Sequence, residues 1–123
     1  MRVAHTQAQV ERQRRAVAVG SFDGVHRGHV AVLEAARATG LAATAITFDP
    51  HPRIALGNRV ELLTTLARKL ELLEDAGIET ALVASFTPEF QQLVPEEFAE
   101  RYLRGIGAET VVCLLYTSDA ADE

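Results

Sequence analysis

The sequence predicts an α/β domain built on a parallel sheet covered by helices on both faces. Three observations carry that prediction. Short apolar runs alternate with helix-patterned stretches along the chain. The runs are almost continuously apolar, as in strands buried on both sides. Glycine, proline or a capping residue marks each change of element.

Taken in order, Ala16-Val17-Ala18-Val19-Gly20 is a short apolar strand stopped by glycine. Residues 27–39 read as a helix, with Val30, Leu33 and Ala36 or Arg37 along one stripe and Gly40 as its stop. Leu41 to Phe48 forms the second strand, helped by β-branched Thr44, Ile46 and Thr47. Asp49-Pro50-His51-Pro52 breaks regular structure, because each proline pushes its predecessor out of the helical region. A loop runs through Gly57-Asn58. Thr64 or Thr65 then caps a helix with Leu66, Leu70 and Leu73 at helical spacing, ended by Gly77. Thr80 to Phe86 is a third strand. Pro95-Glu96-Glu97 opens a further helix, with Arg101 and Arg104 in its last turn, where cations suit the helix dipole. Glu109 to Val112 begins a fourth strand.

The 123 residues suit a single domain, and 48% apolar with 24% charged residues is globular composition. Twelve Lys and Arg against seventeen Asp and Glu give a net charge of −5, which argues against a nucleic-acid partner but not against a small phosphorylated ligand. No apolar run approaches the ~20 residues a membrane helix needs, and the start of the chain lacks a signal-peptide core. One cysteine excludes an internal disulfide framework. The expectation is a soluble, cytoplasmic domain with no membrane partner.

In a parallel sheet the ligand crevice lies at the carboxyl ends of the strands. Two features fall there. The first is Gly20-Ser21-Phe22-Asp23-Gly24-Val25-His26-Arg27-Gly28-His29. A glycine closes the strand, a turn follows, and a helix opens near His26. Helix openings present free N–H groups and a positive dipole end to phosphate. His26 and His29 share one helical face, and Gly28 between them lets the backbone approach closely. Alone, that spacing also fits two incidental surface histidines; a metal pair would lack further ligands.

The second feature is Thr47-Phe48-Asp49-Pro50-His51-Pro52. Its two prolines make a stiff extended segment at the crevice mouth, from which Asp49 and His51 project and where Phe48 offers an aromatic surface. Without further context it is equally a stiff loop.

Together these strings carry a resemblance. His26-Arg27-Gly28-His29 resembles the His-x-Gly-His motif of the nucleotidyltransferase superfamily, whose sheet is Rossmann-like. The longer first string, with Gly24 where relatives acting on phosphopantetheine or nicotinate mononucleotide carry proline, resembles the prokaryotic FAD synthetase branch. Phe48-Asp49-Pro50-His51-Pro52 and Leu63-Thr64 match the same branch, as does the spacing of Phe86, Phe90 and Phe98, though a packed core explains those three rings equally well. The resemblance covers residues 16–112.

It implies an FMN adenylyltransferase that uses ATP and Mg²⁺ to turn FMN into FAD and diphosphate, with no covalent intermediate. His26 and His29 are then the catalytic pair. Gly20, Ser21, Phe22, Asp23, Gly24 and Gly28 form the ATP phosphate cradle, Asp23 serving mainly as a turn and capping residue. Phe48, Asp49, Pro50, His51, Pro52 and Arg59 serve FMN. No protein residue is assigned to the metal. The alternatives are another nucleotidyltransferase, such as a cytidylyltransferase or phosphopantetheine adenylyltransferase, and a non-catalytic α/β binding module. Gly24 and the Pro-His-Pro turn speak against the first. The second leaves His-x-Gly-His unexplained.

The family's later Gly-x-x-Phe-x-Phe-Gly and Ser-Ser-Thr-x-x-Arg segments and its riboflavin kinase barrel have no counterpart in the sequence. Instead Cys113-Leu114-Leu115-Tyr116-Thr117-Ser118-Asp119-Ala120-Ala121-Asp122-Glu123 resembles the in-frame translation of a sequencing adapter, its first ten residues being those that TGT CTC TTA TAC ACA TCT GAC GCT GCC GAC would encode. The expectation is therefore a partial adenylyltransferase domain over residues 1–112, with its C-terminal part missing, and a foreign tail over 113–123. Without Asp119, Asp122 and Glu123 the charge becomes 12 − 14 = −2. Such a fragment is expected to be inactive alone.

Overall fold

A computed structural model describes residues 1–22, 27–49 and 65–113, with the backbone alone for 27–29 and Cys113. Among these residues lie five strands: β1 (Arg2–Ala4), β2 (Arg15–Val19), β3 (Ala42–Asp49), β4 (Thr80–Ser85) and β5 (Ala108–Cys113). They form one sheet in the order β1-β4-β3-β2-β5. Every pairing is parallel, so all carboxyl ends share one edge. From β2 the chain steps to β3 and then β4, and only afterwards returns to β5 on the far side of β2. The carboxyl end of β2 is therefore the topological switch point, where open α/β sheets place their ligands.

The central strands alternate between two cores. Val17, Val19, Ile46, Phe48 and Leu82 face one side. Ala18, Ala43 and Ala45 face the other, against Leu33 and Leu73. Those two leucines come from α1 (Arg27–Ala38) and α2 (Leu66–Asp75). The opposite face is covered by α3 (Pro88–Gln91) and α4 (Pro95–Phe98), through Phe90 and Phe98, and by the turns that follow them. Small residues toward α1 and α2 let those helices lie close, while the larger side chains fill the other layer.

Several boundaries differ from the sequence reading. The three-residue β1 is too short to show periodicity; its register comes from pairing Arg2 with Thr80 on β4. In α1 Val30 is exposed, and the buried stripe runs through Val32, Leu33 and Ala36. Thr65, not Thr64, caps α2, accepting from the Arg68 amide at 3.1 Å. The helix expected from Pro95 breaks into α4, a π-helical turn (Ala99–Leu103) and a 3-10 turn (Arg104–Ile106). That irregular path still stacks Phe98 on Tyr102 at 5.2 Å. β5 extends one residue beyond expectation, to Cys113. The loop at Gly57-Asn58 lies outside the described residues.

Arg15 enters the sheet at the amino end of β2 and is 1% exposed. Its guanidinium donates to the Ile106 carbonyl at 3.0 Å, to Thr44 Oγ1 at 3.0 Å and to the Glu11 carbonyl. Desolvation lowers its pKa, with Glu11 and Glu79 pulling the other way. Buried charge is tolerated because the planar fork finds oxygen on three sides. This ties the end of the helical segment to the edge opposite the switch point.

Two glycines at positive φ separate strain from collision. Gly40 has φ +78° with open space around its missing Cβ, whereas at Gly107 (φ +90°) a Cβ would overlap the Gln13 carbonyl. Gly40→Ala should cost about 1 kcal/mol, and Gly107→Ala clearly more because backbone must move. Urea unfolding of both variants checks the order; equal losses would mean the collision relaxes freely.

Candidate nucleotide site

The site grows from the carboxyl edge of β2 and β3. The ladder continues one residue past β2, with the Gly20 amide donating to the Ile46 carbonyl at 3.0 Å. That N–H is spent within the sheet, which removes it from the phosphate donors expected at this turn. Ser21 is half-buried, and its carbonyl accepts from Thr47 Oγ1 at 3.1 Å and from Lys69 Nζ at 2.9 Å. Phe22 then takes φ +52°, the left-handed region that a non-glycine residue enters at about 1–2 kcal/mol. Its ring is 0% exposed and packs in the core with Leu33, Ala45 and Leu73. Burial of an aromatic ring outweighs that local strain. Phe22 is thus an anchor that sets the chain direction after the switch point, and its buried ring is not part of a phosphate cradle.

Phe48 requires a second correction. It was expected to offer a flavin an aromatic surface, but its ring is 2% exposed. It meets Phe86 edge-on at 5.7 Å and Phe90 at 5.6 Å. The period of the strand turns residue 48 into the core on the side of Val19 and Ile46, and turns its neighbour Asp49 out to solvent. Phe86, Phe90 and Phe98 all pack against this core. Asp49 stands exposed at the strand end, its carbonyl accepting from the Phe86 amide at 3.2 Å.

Gly28 and His29 lie in the first turn of α1, which starts at Arg27 a few residues beyond the Phe22 turn. Asp23, Gly24 and His26, and likewise Pro50, His51, Pro52 and Arg59, lie outside the described residues. Among the described residues no three His, Cys, Asp or Glu side chains gather as a metal site. A shallow cavity adjoins the same edge beyond β4 and β1, lined by His5, Ser85, Glu89, Arg101 and Tyr102.

Lys69 was missed by the sequence reading. It sits in the first turn of α2 and is 7% exposed, with Nζ donating to the Ser21 carbonyl, to Thr47 Oγ1 at 3.0 Å and to the Phe48 carbonyl at 3.5 Å. The signal was present: Lys69 follows Leu66 by three and precedes Leu73 by four, which puts it on the apolar stripe.

An open parallel sheet with a glycine turn and a helix start at its switch point is the architecture of nucleotide-binding α/β domains. The chain belongs to the FAD synthetase family, whose sequence profile matches residues 8–113. It is 39% identical over 105 residues to a bifunctional riboflavin kinase/FMN adenylyltransferase of Listeria monocytogenes, covering 80% of this chain and 33% of that protein. The Bacillus subtilis protein of the same description is 34% identical over 115 residues, covering 88% and 36%. The chain thus spans about a third of the length of these curated relatives. Its fold is also that of the crystal structure of a macrolide-efflux protein from Streptococcus pneumoniae, with a TM-score of 0.75 and 26% identity over 90% of this chain and 40% of that one. Among the described residues no helix is long and apolar enough to cross a membrane.

Opposite roles for neighbouring residues at the end of β3 give a direct check. Phe48→Ala should destabilise the chain by about 3–5 kcal/mol, as emptying a packed aromatic site does, while Asp49→Ala should stay within about 0.5 kcal/mol. Thermal and urea unfolding read both. Similar small losses would return Phe48 to the surface.

Proposed function

We propose that this chain is the nucleotide-binding part of an FMN adenylyltransferase, which joins FMN to the adenylyl group of MgATP and releases diphosphate. The observation that carries the reading is one of placement. The strands that precede His26-Arg27-Gly28-His29 and Pro50-His51-Pro52 in the sequence, β2 and β3, are parallel neighbours whose carboxyl ends share one edge beside the switch point. Family membership supports it.

In this reaction an oxygen of the FMN phosphate attacks the α-phosphorus of ATP. The new P–O bond forms as the bond from that phosphorus to the oxygen bridging the β-phosphorus breaks, and diphosphate leaves with the electron pair. Such transfers need positioning and charge neutralisation more than covalent chemistry. His26 and His29 hold the ATP phosphates and stabilise charge that builds at the reacting phosphorus. Gly28 and the backbone of Ser21, Phe22, Asp23 and Gly24 complete the cradle. Asp49, Pro50, His51, Pro52 and Arg59 orient FMN. Magnesium would come with the nucleotide, held chiefly by its phosphates, and would neutralise phosphate charge there, in keeping with the reluctance of that ion to shed water. Residues 113–123, whose amino-acid string resembles a translated sequencing adapter, take no part in this assignment.

The test is a chimera in which residues 8–112 replace the matching segment of the Listeria relative. It should convert FMN and MgATP to FAD and diphosphate. His29→Ala in that chimera should lower the rate by about 100-fold or more while riboflavin phosphorylation continues. Loss of both activities together would make His29 structural. An unchanged FAD rate would remove it from the mechanism. Transfer of CMP in preference to AMP would favour the cytidylyltransferase alternative.

A further inference from the structure

Lys69 is the only lysine in the sequence, the other eleven of the twelve basic residues being arginine. It occupies a costly place. Its ammonium is buried, and it lies in the opening turn of α2, where the helix dipole disfavours a cation. No packing demand accounts for a charge there, because a leucine would continue the stripe of Leu66, Leu70 and Leu73. Among the described residues, the ammonium gathers oxygens from two separate segments. One is the Ser21 carbonyl in the turn after β2, and the others are Thr47 Oγ1 and the Phe48 carbonyl at the end of β3. Thr47 Oγ1 closes the triangle by donating to the same Ser21 carbonyl at 3.1 Å. A compact ammonium with three freely rotating donors suits such a cage better than the rigid guanidinium fork used elsewhere in this chain.

We infer that Lys69 is a positioning residue that clamps the turn after β2 to the end of β3 and so sets the spacing between the two segments that carry substrate. In the proposed adenylyl transfer, on which the kinetic part of this inference rests, one segment leads to the ATP phosphates and the other to FMN. The clamp therefore governs the distance between nucleophile and phosphorus. Because it acts through these two segments, its loss lowers turnover more than it weakens either binding event, as misplacement of reactants does.

Two measurements on Lys69→Met test this, with Leu73→Ala on the same helix as a control for simple destabilisation. Amide exchange in the 123-residue chain should accelerate more than tenfold in residues 20–22 and 47–49 together, and less than threefold in β4. In the chimera described above, kcat for FAD formation should fall at least thirtyfold, with KM for ATP and for FMN changed less than threefold. Leu73→Ala should loosen the chain broadly and leave kcat within threefold at a temperature where it is folded. Release of only one segment, uniform release, or an unchanged kcat in Lys69→Met would overturn the inference. Should Lys69→Met fail to fold, Thr47→Val, which removes one corner of the cage, decides it: the same two segments must loosen together by at least threefold, or the clamp is refuted. A parent chimera that makes no FAD would overturn the adenylyltransferase reading, and the exchange measurement would still decide whether Lys69 ties the segments.

Discussion

Parallel pairing of every strand is the constraint from which the rest of this structure follows. A parallel sheet cannot be closed by hairpins, so the chain must cross over between strands, and the crossovers cover the faces. Once both faces are covered, the central strands have no solvent side. Beyond Arg15 at the amino end of β2, the side chains within them are apolar or small, hydrogen-bonded and polar, which explains why Thr44 and Thr47 are fully buried beside alanines and valines. The same constraint puts every carboxyl end on one edge. Backbone groups there leave the ladder, and the chain must turn sharply to reach the next helix.

That edge is held by competing demands. Phe22 accepts a left-handed backbone because its ring completes the core under α1 and α2. Phe48 surrenders its ring to the aromatic layer shared with Phe86 and Phe90, leaving Asp49 as the first side chain free to face solvent. Lys69 and Thr47 then join the two strand ends through oxygen contacts that no apolar pair could make. The opposite edge has its own polar fastening in Arg15, whose guanidinium binds the chain near Glu11 and Ile106. Two buried cations at opposite ends of the sheet thus serve as fixed points, one for the scaffold and one for the site. In both cases the cost of desolvation is offset by oxygen acceptors at hydrogen-bond distance.

Much of this was legible in the sequence because it depends on local pattern. Continuous apolar runs marked β2, β3, β4 and β5, and glycines at 40 and 77, both at positive φ, marked helix ends. The two motif strings follow the first and second of those runs in the sequence, and those runs, β2 and β3, end at one edge because the sheet is parallel. What remained hidden depends on contacts between residues far apart in the chain. β1 is three residues long and gains its register only from β4. The stripe of α1 shifted from Val30 to Val32 because the neighbours of the helix, not its own periodicity, decide which side is covered.

The α/β class, the order of the main elements and the two motif strings are local properties, legible without coordinates, because periodicity, capping and turn chemistry act over a few neighbouring residues. That the rings of Phe22 and Phe48 are core while Asp49 faces solvent follows from the packed sheet alone, since a side chain's face depends on the register of its strand. The tertiary structure alone revealed that the lone lysine sits between two strand ends. Ser21, Thr47 and Lys69 are separated by tens of residues, and only the sheet's order brings their oxygen and nitrogen atoms within hydrogen-bond reach.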